Sequence, residues 1–212
     1  GVPTSRLRFL ALLREPVSRA LSEYQHVTAG LVAQFGAHAF GRAWDYNFTD
    51  RRRATLADWL RCEPCRVGAS DRQTRFLAGL FPTGALVDDA GEAGRRRLLD
   101  AALANLRACD FVGVLDRFAD AMFLLRETFP RNLQRFTSYT TSLHPKGAAS
   151  SSSPHSADTL AQLRRLNALD LELYAAATDI FQARWDTMLA SLPESRRHLR
   201  FRPAGPAARG RG

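Results

Sequence analysis

Apolar positions along the chain recur at two different periods. Residues 6–13, reading RLRFLALL, form a short apolar run that stops at Arg14-Glu15-Pro16, the pattern of a buried strand. Directly after it Val17, Leu21, Tyr24 and Val27 fall at helical spacing behind a proline suited to a first helical turn. Arg14 therefore stands where a strand meets a helix. Further along, the spacing predicts short helices over 55–60 and 71–80, with a pair of cysteines in the loop between them. A clearer helix over 95–108 buries Leu98, Leu99, Ala102, Leu103 and Leu106. A strand over 111–115 follows, then an amphipathic helix over 117–129 presenting Phe118, Met122, Leu125 and Phe129. One long helix, N-capped by Asp158, is expected from residue 160 to about 189, with Leu163, Leu166, Tyr174, Phe181 and Met188 among its apolar positions.

The intervening segments are of other kinds. Residues 30–53 are irregular and rich in glycine and aromatics, and include the sequon Asn47-Phe48-Thr49, a glycan acceptor if the protein is secretory. Residues 146–157 are rich in serine, alanine and proline and read as a flexible loop; 193–212, full of Arg, Gly, Pro and Ala, read as a disordered basic tail. No internal repeat is visible.

With 212 residues and 45% hydrophobic content, the chain suffices for one sizeable domain. Its formal charge is +9, and all but one of its thirty basic residues is arginine, whose planar fork suits phosphate, sulfate or carboxylate groups. An anionic partner fits that bias, as do arginine-favouring codons and a basic tail. Nucleic acid is not expected, because no helix-turn-helix, zinc-finger or RNA-binding signature accompanies the charge. No run approaches the roughly 20 apolar residues of a membrane span, and no secretory signal opens the chain. Of the three cysteines, Cys62 and Cys65 form a Cys-Glu-Pro-Cys motif. It is open to three readings: a redox pair, half of a zinc site, or two structural cysteines in a loop, for which a bond from one member to a partner elsewhere is one option. No second pair or spaced histidines complete a zinc site, and no metal is expected.

The stretch from Leu12-Leu13-Arg14-Glu15-Pro16-Val17-Ser18-Arg19 to Ser22-Glu23-Tyr24-Gln25-His26-Val27 resembles the 3′-phosphate-binding motif of sulfotransferases that use 3′-phosphoadenosine 5′-phosphosulfate (PAPS), with the family's eight-residue spacing from Arg14 to Ser22. Asp71-Arg72-Gln73-Thr74-Arg75 is similar to the Asn-Arg-Gln segment of heparan sulfate 6-O-sulfotransferases. Ala104-Asn105-Leu106-Arg107, Phe111-Val112-Gly113 and Arg126-Glu127-Thr128-Phe129 follow that family's helix, strand and helix. Leu166-Asn167-Ala168-Leu169-Asp170 and Phe181-Gln182-Ala183-Arg184-Trp185 resemble its closing helix. The matches occur in order.

The resemblance implies a P-loop-type α/β sulfotransferase fold over residues 1–192, a parallel sheet flanked by helices, with the first strand and phosphate loop missing. It implies PAPS as co-substrate, with Arg14 and Ser22 on the 3′-phosphate and Ser138, Thr140 and Thr141 as further cofactor contacts. It also implies an anionic, heparan sulfate-like polysaccharide acceptor, met by Arg72, Gln73, His26 and Arg19. A Golgi-lumenal type II membrane protein is expected, its anchor outside this chain. The physical logic of the first site is that a guanidinium and a hydroxyl suit the dianion that distinguishes PAPS from ATP. Asp71 stands where the family has Asn. The family's Gly-rich loop with its Lys, and the histidine base after it, have no counterpart here, so no catalytic residue is assigned. The chain alone is expected not to transfer sulfate. A non-catalytic remnant that binds nucleotide or polyanion is the alternative.

Overall fold

The computed structural model describes residues 7–28, 55–80, 91–129 and 155–194. The sequon at Asn47, most of the serine-rich loop and nearly all of the tail lie outside the described residues, as do Ser138, Thr140 and Thr141. In chain order the described elements are β1 (Leu10–Leu13), α1 (Pro16–Thr28), α2 (Leu56–Arg61), α3 (Glu63–Ala69), α4 (Arg72–Leu77), α5 (Gly91–Ala108), β2 (Phe111–Val114), a 3-10 turn (Leu115–Arg117), α6 (Phe118–Thr128), α7 (Ala157–Leu166) and α8 (Ala168–Ser191). The fold is α/β, mostly helical, with β1 and β2 paired as a small parallel sheet. The chain divides into two compact units, residues 1–12, 109–153 and 177–212 in one and residues 13–108 and 154–176 in the other.

In the first unit β1 alternates, with Leu10 and Leu12 exposed and Ala11 buried, whereas all four residues of β2 are buried. Asp110 ties the strand pair at its start by accepting from the Phe9 amide (3.0 Å) and the Arg8 guanidinium (2.7 Å). Gly113 is required by close approach. A Cβ there would lie 2.8 Å from Cζ of Phe111 and 3.0 Å from Cδ1 of Leu12. α6 buries Ala121, Phe123 and Leu124, a face offset from the expected Phe118, Met122, Leu125 and Phe129, all of which are half-buried. The offset has a visible anchor. Phe123 meets Trp185 edge-on (6.0 Å between centroids), Phe181 stacks on Trp185, and the Arg117 guanidinium lies over both rings at 4.8 and 5.4 Å.

The second unit is built on a core of Val17 and Ala20 from α1, Leu56, Trp59 and Leu60 from α2, Cys65 and Ala69 from α3, and Leu163 from α7. Thr55 and Asp58 form a reciprocal capping box at the start of α2. α3 is formed by residues expected to lie in a loop between two short helices. Cys62 caps it and Cys65 sits inside it, and the two are bonded to each other rather than one of them elsewhere. The expected single helix from 160 to 189 is two helices, and the first starts earlier, capped by Ser156 rather than Asp158. The break falls at fully buried Asn167, whose side chain turns back to donate to the Leu163 carbonyl (2.9 Å).

Candidate functional site

α1 begins unusually. Its N-cap is Glu15, whose carbonyl accepts from the Arg19 amide (2.8 Å) and whose carboxylate accepts from the amides of Val17 (3.1 Å) and Ser18 (2.7 Å). Burial works to raise the Glu15 carboxyl, but the Ser18 amide and hydroxyl, the Val17 amide and the charge of Arg164 together hold it below the usual carboxylate range. Because Glu15 fills the helix N-terminus, an anion beside this junction meets side chains rather than free amides.

Arg14 is held by its backbone. The Gln73 side chain accepts from the Arg14 amide and donates to the Arg14 carbonyl, each at 2.9 Å, so one planar amide pairs with both backbone polar groups of Arg14 at the junction. Arg14 and Ser22, two turns along α1, are half-buried residues, and the guanidinium of one and the hydroxyl of the other have no hydrogen-bond or ion-pair partner among the described residues.

The other arginines nominated from the sequence are committed. Arg19 donates to Glu23 (2.9 Å), to the Ala69 carbonyl at the end of α3 and to Asn167 (3.0 Å), and stands 3.8 Å from Asp170. Arg72 donates to the other oxygen of Glu23 (2.7 Å). Glu23 thus bridges two guanidinium groups.

Below this layer two aspartates cap each other's helices. The Asp71 carboxylate accepts from the amides of Leu169 (2.9 Å) and Asp170 (3.1 Å) at the start of α8. The Asp170 carboxylate accepts from the Gln73 amide (3.1 Å) and from the amide (2.7 Å) and hydroxyl (2.8 Å) of Thr74 at the start of α4. Each cap contributes about 1 kcal/mol. Burial, augmented by the charge of Asp170, pushes the Asp71 carboxyl up to about 6 against the pull of the two amides and Arg95. Asp71 also takes a left-handed backbone conformation (φ 42°), one that Asn and Asp tolerate best. The acceptor oxygen at this position is what the cap needs, and the family's Asn would supply it without the charge.

The structure therefore brings Arg14, Arg19, Arg72 and Gln73 into one connected arrangement, with Ser22 on the same helix as Arg19. His26 lies in α1, but its side chain is outside the described residues, as are Ser138, Thr140 and Thr141. Glu15, Glu23 and Asp170 were not singled out from the sequence. Glu15 carried one usable signal, its place just before a proline at the first helical position. The contacts of Asp170 join segments about a hundred residues apart and had none. Among the described residues no cluster of His, Cys, Asp or Glu is placed to hold a metal ion, and no helix is long and apolar enough to cross a membrane.

Comparison with known proteins points in one direction. Heparan-sulfate 6-O-sulfotransferase 1 of Homo sapiens is 32% identical over 187 residues, covering 84% of this chain and 44% of that protein. Heparan-sulfate 6-O-sulfotransferase 2 of Gallus gallus is 30% identical over 197 residues, 88% of this chain and 47% of the relative. Heparan-sulfate 6-O-sulfotransferase 3-B of Danio rerio is 32% identical over 187 residues, 84% of this chain and 43% of the relative. The chain thus spans less than half the length of these curated relatives. No family model matches it.

Proposed function

This chain is a heparan-sulfate 6-O-sulfotransferase-like member of the carbohydrate sulfotransferases, and from that premise we propose that it carries the 3′-phosphate end of a PAPS site in an enzyme that sulfates a heparan sulfate-like polysaccharide at a 6-hydroxyl. The observation that carries this reading is the contrast within the site. The side chains of Arg19, Gln73 and Glu23 make hydrogen bonds within the fold, whereas the guanidinium of Arg14 and the hydroxyl of Ser22 make none among the described residues. A guanidinium on a half-buried residue, without a partner among the described residues, is suited to a ligand dianion.

In this reading PAPS supplies the sulfuryl group, which moves in line to the acceptor hydroxyl as PAP leaves. The chain's own residues bind and orient. Arg14 and Ser22 hold the 3′-phosphate, with Ser138, Thr140 and Thr141 as further contacts. Gln73 and Arg19 act through the segments they fix. Arg72 and His26 are the acceptor-side candidates. The setting is the Golgi lumen, as expected for polysaccharide sulfation.

Two assays on the 212-residue chain test the reading. Calorimetry with PAP is expected to show binding that the Arg14→Ala chain loses in large part, and incubation with labelled PAPS and heparan-type polysaccharide is expected to show no transfer. Binding without transfer fits a chain that carries the cofactor's 3′-end, and a longer form that also fails to transfer label favours a non-catalytic nucleotide-binding role. Absence of PAP binding to the folded chain rejects the reading.

A further inference from the structure

The Cys62–Cys65 bridge stands in a position where opening it would be felt at the Arg14 junction. Cys65 is fully buried in the core cluster that also holds Val17 and Ala20 of α1, while Cys62, at the corner between α2 and α3, is half-buried and flanked by exposed Arg61 and Glu63. Cys65 is thus enclosed by the core, whereas Cys62 packs against its edge and is partly open to solvent.

The far end of α3 is gripped as firmly as its start. Arg19 of α1 takes the Ala69 carbonyl, and Arg75 of α4 takes the carbonyls of Val67 (2.6 Å) and Gly68 (3.4 Å). α3 is thus a short strut with the bridge at one end. At the other are the two arginines that connect it to α1 and α4, the helices on either side of the Gln73 clamp.

As a staple the bridge does little. It spans two intervening residues, and the denatured-state entropy removed by a cross-link grows with the logarithm of the loop it closes. Its position suits exchange better than stapling.

We propose that Cys62–Cys65 is a site of thiol–disulfide exchange with small-molecule dithiols, and that its opening loosens the Arg14 junction. The coupling to nucleotide affinity rests on the function proposed above; the exchange itself does not. In the first step a dithiol thiolate attacks Sγ of Cys62, the S–S bond breaks, and Sγ of Cys65 leaves as a thiolate that takes the proton of the reagent's second thiol. In the second, the other thiol of the reagent, as its thiolate, attacks the mixed disulfide, releasing Cys62 as a thiolate that is then protonated. The reagent is oxidised by two electrons and the protein reduced by two. Two sulfurs once bonded must then separate to non-bonded contact. Cys65 has no solvent beside it to move into, so the displacement passes into the core cluster that includes Val17 and Ala20.

The test uses the folded 212-residue chain and dithiothreitol. Rapid alkylation followed by mass spectrometry is expected to label half-buried Cys62 under conditions where buried Cys109, its thiol pushed up by burial, stays unlabelled. Amide hydrogen exchange is expected to quicken about fivefold or more over residues 14–20 in the reduced chain, the low end of intramolecular coupling, and PAP affinity to fall by a similar factor. Reoxidation restores both, and a Cys62→Ala/Cys65→Ala chain shows no response to the dithiol. Labelling that appears only together with Cys109, as in global unfolding, overturns the exchange site. Labelling with unchanged hydrogen exchange at 14–20 overturns the coupling. Exchange that quickens there in a chain with no PAP affinity upholds the proposal and rejects the nucleotide reading instead.

Discussion

Replacing Gln73 by alanine tests how the junction is held. The substitution removes both 2.9 Å hydrogen bonds to the Arg14 backbone and leaves its amide and carbonyl without their partner. At about 1 kcal/mol net for each bond, the expected loss of stability is about 2 kcal/mol, read as a drop in the urea midpoint at constant slope. The Gln73 main-chain amide still donates to Asp170, so the α4 cap survives and the loss reports the clamp alone. Binding must then order Arg14 itself. Fixing one residue's backbone costs about 1–2 kcal/mol, which lowers PAP affinity about five- to thirtyfold in calorimetry. Gln73→Glu separates geometry from chemistry. Its carboxylate can accept from the Arg14 amide but cannot donate to the carbonyl, so it is expected to be no better than alanine. Stability lost with PAP affinity unchanged would refute the idea that the clamp serves the nucleotide site, and stability unchanged would refute the clamp.

Three further outcomes follow from the same structure. Asp71, with its carboxyl raised to about 6 in the fold against 3.8 ordinarily, is protonated in the native chain and ionised in the unfolded one between those values. The native state therefore binds the extra proton, and stability falls as pH rises from about 4 to about 6, by about 3 kcal/mol in all, then levels. Asp71→Asn keeps the acceptor oxygen and loses the titration, so the difference in unfolding free energy between the two chains should grow in the variant's favour over that window and be flat above it. A difference that does not change with pH would show that Asp71 is not the group concerned. Asp170→Ala uncaps α4 and leaves three donors at Gln73 and Thr74 unmatched, two of them on fully buried Thr74, with an expected cost of about 3 kcal/mol in denaturant unfolding; a cost below about 1 kcal/mol would count against reciprocal capping. Gly113→Ala places a methyl group against Phe111 and Leu12 and should cost about 1–3 kcal/mol, a thermal midpoint unchanged from the parent being the contrary result.

The parts of the fold legible in the sequence were those fixed by local periodicity. β1, α1, α5, β2 and the strand-to-helix junction at Arg14 fall where the spacing puts them, with ends shifted by a few residues, and α5 starts a turn early at Gly91. α3 was missed because its residues, Glu-Pro-Cys-Arg-Val-Gly-Ala, carry no apolar stripe; contacts with the rest of its unit hold it in place. The break at Asn167 was missed for a related reason. The apolar positions continue through it in register, while the polar groups that end one helix and start the next, Asn167 and Asp71, act from a side-chain turn and from a distant segment. The site divides in the same way. Arg14, Ser22, Arg72 and Gln73 were named from ordered motifs, but only contacts across long separations show that Gln73 grips the backbone and Arg19 is spent inside the fold.

The central claim is that the Arg14 guanidinium reads a 3′-phosphate. It is tested most directly by titrating the chain and its Arg14→Ala variant with PAP and with adenosine 5′-phosphate, which lacks that group. The parent chain is expected to prefer PAP, and the variant to lose about 1.5–3 kcal/mol of PAP binding, the scale of a hydrogen bond to a charged group, with affinity for adenosine 5′-phosphate unchanged. A variant that still discriminates between the two nucleotides as the parent does would contradict the account.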